Sequence, residues 1–284
     1  MTTGMAYALA AMLCFGLADL VYKRASVTGV AAHHLMLVQA WCFGPSIAIY
    51  ALATHTLVVE RSAVWGALAG LFSFVGFLNF ARSLRTGSIS VVVPIFRLNF
   101  VLTAALAIWF LGETASATKF AGLLAALVAV WLLLGGGADR SKERKTDRRA
   151  LAQVAIAIAT VGASNLFYKI GLRGGALPET LLVAQAAAFN LSALAYTLAA
   201  DRALYPLRYA WRYPALAAAA LLTAFLFMLR SLAVGEASIY VPVAQMGFVI
   251  TAVVGILLLG EALTARKIAG LTAALAALAL FAAS

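Results

Sequence analysis

Residues 82–122 read RSLRTGSISVVVPIFRLNFVLTAALAIWFLGETASATKFAG, and 148 positions later residues 230–270 read RSLAVGEASIYVPVAQMGFVITAVVGILLLGEALTARKIAG. Arg82, Ser83 and Leu84 fall on Arg230, Ser231 and Leu232, Gly87 on Gly235 and Ser90 on Ser238. Pro94, Phe100 and Thr103 fall on Pro242, Phe248 and Thr251. Gly112-Glu113 fall on Gly260-Glu261, and Lys119 and Gly122 on Lys267 and Gly270. Unrelated apolar segments do not agree at so many proline, glycine and charged positions with one offset. The chain is a duplication. Earlier in each half the offset is 146: Gly16, Tyr22-Lys23, Gln39 and Tyr50 fall on Gly162, Tyr168-Lys169, Gln185 and Tyr196, and Asp19 falls on Asn165. The change in offset places a two-residue insertion in the loop after the second helix of one half.

The 284 residues are 64% hydrophobic and 11% charged, with mean hydropathy +1.00. Soluble domains carry about 25% charged and about 45–50% apolar residues, so the composition is that of a polytopic membrane protein. A span needs roughly 20 predominantly apolar residues. Ten such runs occur, at 4–22, 34–53, 63–81, 87–110, 118–134, 150–171, 177–199, 213–233, 237–259 and 265–283. They are continuous, not alternating in ten-residue segments, which indicates helices rather than barrel strands. The expected fold is all-α, with a first five-helix repeat over 1–134, a basic linker over 135–149 and a second repeat over 150–284. Five is odd, so equivalent helices must cross the bilayer in opposite directions, the inverted-repeat arrangement of secondary transporters. The first run follows no basic n-region, so it is read as a span and not as a cleaved signal peptide. One chain already holds both halves, and a functional monomer is expected.

The formal net charge is +11. Most basic residues sit at the ends of apolar runs, and no basic face with interleaved aromatics marks a nucleic-acid site. The linker GGGADRSKERKTDRR reads as a solvated connector; it lacks the spacing of a phosphate-binding loop, so ATP hydrolysis is not expected. Odd-numbered connections carry 15 Lys and Arg, even-numbered ones 5. The positive-inside bias places the odd connections in the cytoplasm and both termini outside. Cys14 and Cys42 lie within apolar runs and read as packing residues. His33, His34 and His55 flank the second run, and no Cys/His/Asp/Glu set has ligand spacing, so neither metal nor other cofactor is expected. No histidine occurs at depth to serve a nucleophile, so the chain does not read as an enzyme.

Arg97 lies about ten residues into the fourth run, close to the bilayer midplane. An arginine there is costly and faces a cavity or a partner. Two readings stand: its guanidinium receives a substrate carboxylate, or it pairs structurally with Asp19 or a helix carbonyl. Its repeat mate is the neutral Gln245. Among the amides, Gln39, Gln185, Asn165 and Asn190 read as interhelical hydrogen-bonding groups. Asn79 and Asn99 do not recur and are candidates to line a cavity. Phe96, Phe100, Trp41, Phe80, Tyr240 and Phe248 are candidates for an apolar lining, whereas Trp65, Trp109 and Trp131 fit an interfacial belt. Pro94 and Pro242 each remove a backbone donor and predict a symmetric pair of bends, where gating is expected. Gly112-Glu113 and Gly260-Glu261 read as structural turns.

The proline-bearing fourth and ninth helices, each closing in Leu-Gly-Glu (Leu111-Gly112-Glu113, Leu259-Gly260-Glu261) before a turn and a helix with Gly122 or Gly270, resemble the drug/metabolite transporter superfamily, ten-helix EamA-type branch. The resemblance covers both halves. It implies export of a small molecule across a bacterial inner membrane by alternating access, with the lipid bilayer as the other partner. Within the branch, the length, the Pro-Ile-Phe-Arg stretch and the aromatics resemble the aromatic amino acid and paraquat exporters, with Arg97, Asn99, Asn79, Phe96, Phe100, Trp41, Gln245 and Tyr240 as the expected lining. Exporters of drug cations, nucleosides or non-aromatic amino acids are the alternative, and a lipid-handling protein or enzyme a more remote one. The proton-exchanging glutamate in the first helix of small four-helix members is absent; the only acid there is Asp19.

Overall fold

The computed structural model describes residues 2–25, 32–58, 60–86, 89–134, 147–202, 211–258 and 262–284. Its helices are α1 Thr3–Ala25, α2 Ala32–Ala53, α3 Val64–Thr86, α4 Ile89–Arg97, α5 Asn99–Leu111, α6 Ala117–Leu134, α7 Arg148–Arg173, α8 Pro178–Asp201, α9 Arg212–Val234, α10 Ala237–Gln245, α11 Gly247–Leu258 and α12 Ala265–Ala282. They supply ten segments long and apolar enough to cross a membrane, and no strand occurs among the described residues. Most of linker 135–149 and the Gly260-Glu261 turn lie outside the described residues.

Local chemistry sets several helix ends. Asp147 accepts from the amide of Ala150 at 2.7 Å to start α7, and Thr264 accepts from Lys267 at 3.3 Å to start α12. These are side-chain N-caps for amides with no partner inside the helix. Gly112 ends α5 at φ 64, a left-handed conformation that glycine adopts without strain.

The fourth and ninth spans differ from expectation. Each was expected as one bent helix, and each is two helices joined by a single turn residue, Leu98 or Met246. Pro94 and Pro242 lie four residues before these breaks rather than at them. The backbone tightens there into short-range bonds, Leu98 N to Ile95 O at 3.0 Å and Met246 N to Val243 O at 3.1 Å. Each proline cannot donate to the preceding turn, and the break that follows leaves carbonyls seeking partners. Asn99 meets one of them, donating from Nδ2 to Phe96 O at 2.8 Å.

Packing is reciprocal between the halves. α3 lies along α7 as α1 lies along α9, α5 meets α7 as α11 meets α1, and the equivalent pairs α2 with α8 and α6 with α12 pack on each other. The repeated arginines and tyrosines join in the same crossed way. Arg82 Nη2 donates to Tyr196 Oη at 2.8 Å, and Arg230 Nη2 to Tyr50 Oη at 2.9 Å. This exchange accords with an inverted repeat. Trp109 and Trp131 are exposed as expected of a belt, whereas Trp65 packs on Phe167.

One close approach was not anticipated. A Cβ at Gly66 would lie 2.3 Å from the Leu181 carbonyl oxygen, and one at Gly70 2.3 Å from that of Gln185. The Gly-x-x-x-Gly spacing on α3 thus brings α3 and α8 into backbone contact, the small-residue packing that holds membrane helices together. Gly70→Val should force the helices apart at an overpacking cost of about 1–3 kcal/mol and lower the melting temperature of detergent-solubilised protein. Leu71→Val, on the exposed side of the same helix, should leave it nearly unchanged.

Candidate functional site

At the first break, α4 ends on Arg97. Its Nη2 donates to Asp19 Oδ2 of α1 at 2.6 Å, a short charge-assisted bond. The Arg97 side chain is 14% exposed and that of Asp19 32%, so the pair is sheltered but reachable. Arg97 Cζ lies 5.9 Å from the centroid of Phe248, near the start of α11. Arg97 Nε is buried without a hydrogen-bond partner among the described residues. A guanidinium has five donors in a fixed fork, and Asp19 engages it through Nη2. Gln245, the last residue of α10, is partly exposed and its amide makes no hydrogen bond among the described residues. Arg97, Asp19, Phe248 and the start of the ninth-span break therefore form one polar locus.

The other expected lining residues lie elsewhere. Asn99 and Phe100 are fully buried, and Asn99 is occupied with Phe96 O. Phe96 is buried and stacks on Phe80 with centroids 4.0 Å apart, in a cluster with Val92, Val154 and Val161. Asn79 turns back to Val75 O of its own helix at 2.8 Å. Trp41 lines an apolar groove of about 400 Å³ between α2 and α8, with Pro45, Ala186 and Asn190. Tyr240 sits against Gly4 and Gly235, its hydroxyl 3.3 Å from Thr2 Oγ1. Among the described residues, none of these side chains contacts the Arg97–Asp19 pair: Asn99 bonds across the break and Asn79 back to its own helix, and the others pack on neighbouring segments. Asn165 and Asn190 make interhelical bonds, to Thr103 Oγ1 at 3.1 Å and Ala40 O at 3.0 Å.

Spacing alone gave no hint of the seal at one end of the bundle. Glu113 is 6% exposed and accepts from the amides of Ala237 and Ser238, each at 2.8 Å. The Leu-Gly-Glu turn thus caps the N-terminus of α10 in the other half, where the helix dipole favours a carboxylate. Lys169 Nζ donates to Leu232 O at 2.6 Å and Gly235 O at 2.5 Å, covering the C-terminal carbonyls of α9. Arg173 Nη1 donates to Leu111 O at 2.6 Å, at the end of α5. Lys119, 1% exposed, bonds Thr114 and pairs with Glu236. Burial pushes the Glu236 carboxyl up, but the Lys119 ammonium and the Thr114 hydroxyl and amide outweigh it and hold the group below its ordinary 4.5. At this end α5 packs on α10.

Ten spans, two of them broken at equivalent positions, one beside a charged pair, describe a polytopic membrane protein, and broken spans of this kind are an arrangement that secondary transporters use. The model of the EamA-like transporter family, a family of membrane transporters of small molecules, matches residues 2–135, the first repeat. A solved crystal structure, described only as that of a protein, superposes with TM-score 0.80 over 98% of this chain and 96% of its own at 15% identity, a likeness of fold. No curated protein matches the sequence.

The depressed Glu236 fixes a pH dependence. Its link to Lys119 is complete above the unfolded value near 4.5 and is lost as pH falls through the lower folded value. Glu236→Gln should lower the melting temperature at neutral pH, and the deficit relative to the parent protein should vanish in acid below the folded value. A deficit unchanged by acid would show that the charge of Glu236 contributes nothing.

Proposed function

We propose that the chain exports small metabolites, amino acids and above all aromatic ones, by alternating access of the Arg97–Asp19 locus. The observation that carries this reading is a cation and an anion held side by side, partly exposed, at a mid-span helix break. An α-amino acid bears the complementary pair on adjacent atoms. Its carboxylate would meet the Arg97 fork and its ammonium Asp19, each replacing part of the existing ion pair, so that neither protein charge is stripped of a partner in a low-dielectric place. The Phe248 ring beside Arg97 supports an aromatic or apolar side chain through its face.

A second reading rests on the same pair. Asp19 neutralises Arg97, so the locus repels a cation less than an isolated arginine would, and Asp19 with the Phe248 face would suit an organic cation. The two are separated by which residue is indispensable: Arg97 for an amino acid, Asp19 with Arg97 dispensable for a cation.

The positive-inside bias places the sealed Glu113 end, where the even-numbered connections lie, on the periplasmic side, and the opposite end on the cytoplasmic side. An exporter would load from that cytoplasmic side. Release would require α10 to leave Glu113, with the breaks at Leu98 and Met246 as the hinges that Pro94 and Pro242 predispose.

In proteoliposomes, Arg97→Ala should abolish uptake of labelled phenylalanine without unfolding the protein. Full uptake by that variant would remove Arg97 from the site. The double variant Asp19→Asn/Arg97→Gln reproduces the neutral Asn165 and Gln245 of the other half. It should fold, elute as the parent does and fail to transport. Competition by tryptophan but not by threonine, paraquat or a nucleoside would fix the aromatic preference.

A further inference from the structure

We propose that His33, His34 and Asp201 form a binding site for one borderline divalent transition metal, Zn²⁺ by chemistry, which clasps the two halves of the chain. His33 and His34 lie in the first turn of α2, and Asp201 is the last residue of α8, 167 positions beyond His34. Both imidazoles direct Nε2 at the same carboxylate oxygen, His33 at 2.9 Å and His34 at 2.6 Å from Oδ2. One donor atom from each residue lies within 4.8 Å of the others. Two neutral imidazoles and a carboxylate are the mixed N/O set that a four-coordinate Zn²⁺ accepts, with water at the fourth position. The side chains are 16%, 20% and 18% exposed, which lets an ion and its water enter while the rings stay packed.

The surroundings hold the donors in place. The His33 ring meets that of His34 edge-on at 4.3 Å and that of Tyr196 at 5.8 Å. Tyr196 is itself fixed by Arg82, which donates to its hydroxyl at 2.8 Å and stands over its ring at 5.2 Å. Supporting contacts of this kind set the orientation of ligand rings. Arg82 adds a positive charge near the site, and the Asp201 carboxylate, as a ligand, offsets it.

The duplication supplies the comparison that separates a metal site from an ordinary latch. At the other end of the same helix pair, Arg230 bonds Tyr50 at 2.9 Å and Glu179 at 2.8 Å. Glu179 occupies the position equivalent to His33 at the offset of 146. There the arginine–tyrosine pair is completed by a simple ion pair. Here the equivalent acid is replaced by imidazole, a second imidazole follows it, and a carboxylate arrives from α8. A latch alone needs only the acid. On binding, each Nε2 gives up its hydrogen bond to Asp201 and offers its lone pair; the proton moves to Nδ1, or to solvent if the ring was charged, so acid weakens the site.

The test uses the full-length protein in detergent, stripped of metal and titrated with Co²⁺ as the spectroscopic probe. The expected result is saturable growth of the visible bands of four-coordinate Co²⁺, one ion per chain, reversed by Zn²⁺. His33→Ala, His34→Ala and Asp201→Asn should each weaken binding by at least the roughly 10–100-fold that changes around a metal site cost. His55→Ala, outside the set, should not. A melting-temperature rise with Zn²⁺, present in the parent and absent in Asp201→Asn, keeps the test valid for any variant that folds less well. No saturable Co²⁺ binding, or binding equal in parent and all three ligand variants, would overturn the proposal. Neither outcome depends on transport, so the two readings stand or fall separately.

Discussion

A backbone carbonyl or amide left open inside a bilayer has no water to turn to, and it must be satisfied by the protein itself. Two spans of this chain are interrupted at mid-depth, at Leu98 and Met246. Near the first break Asn99 takes up the Phe96 carbonyl. At the second, Gly247 has no side chain to offer and instead lies against Gly16, whose carbonyl accepts from Thr251 Oγ1 at 3.3 Å. The repeated threonines serve both breaks alike: Thr103 Oγ1 donates to Asn99 O at 2.9 Å and Thr251 Oγ1 to Gly247 O at 3.4 Å. The breaks give a charged side chain a place at a depth where an intact apolar helix would expose it to lipid.

Within that frame, function is read from where the duplication fails to repeat. Arg97 and Asp19 of the first half correspond to Gln245 and Asn165 of the second. The charged pair joins α4 to α1, whereas Asn165 turns to Thr103 and Gln245 makes no hydrogen bond among the described residues. A purely structural contact would serve equally in both halves. The crossed arginine–tyrosine contacts, Arg82 with Tyr196 and Arg230 with Tyr50, do recur in that way. At one end of the bundle Glu113, Lys169 and Arg173 cap helices of both halves.

The fold was legible because its signals are coarse and additive. Run length, hydropathy and a repeat offset survive errors at single positions, and they gave the spans, the halves and the prolines. The site was only partly legible. Arg97 declared itself because a charge within an apolar run is expensive, and Asp19 was its nearest acid in a facing span. Asn99, Phe96, Phe100 and Trp41 make contacts away from the Arg97–Asp19 pair, which linear sequence could not show because it does not fix helix phase about a break. The break resets that phase, and it falls four residues after each proline, where no residue type marks it. The partner of Glu113 was hidden for another reason. Its carboxylate spans 124 residues to reach the amide of Ala237, and backbone amides carry no sequence signal. Asp201 stayed unconnected to His33 and His34 in the same way. The Gly66–Gly70 spacing was in plain view and could have been read as a close helix contact.

The central claim is that the Arg97–Asp19 pair recognises both charges of an amino acid. Equilibrium binding of phenylalanine to the purified protein, set beside 3-phenylpropionate and phenethylamine, tests it directly. The first analogue keeps only the carboxylate and the second only the ammonium. The account predicts that phenylalanine binds well above either, and that its advantage disappears in Asp19→Asn/Arg97→Gln. Phenethylamine binding as tightly as phenylalanine, or an advantage that survives the double substitution, would contradict it.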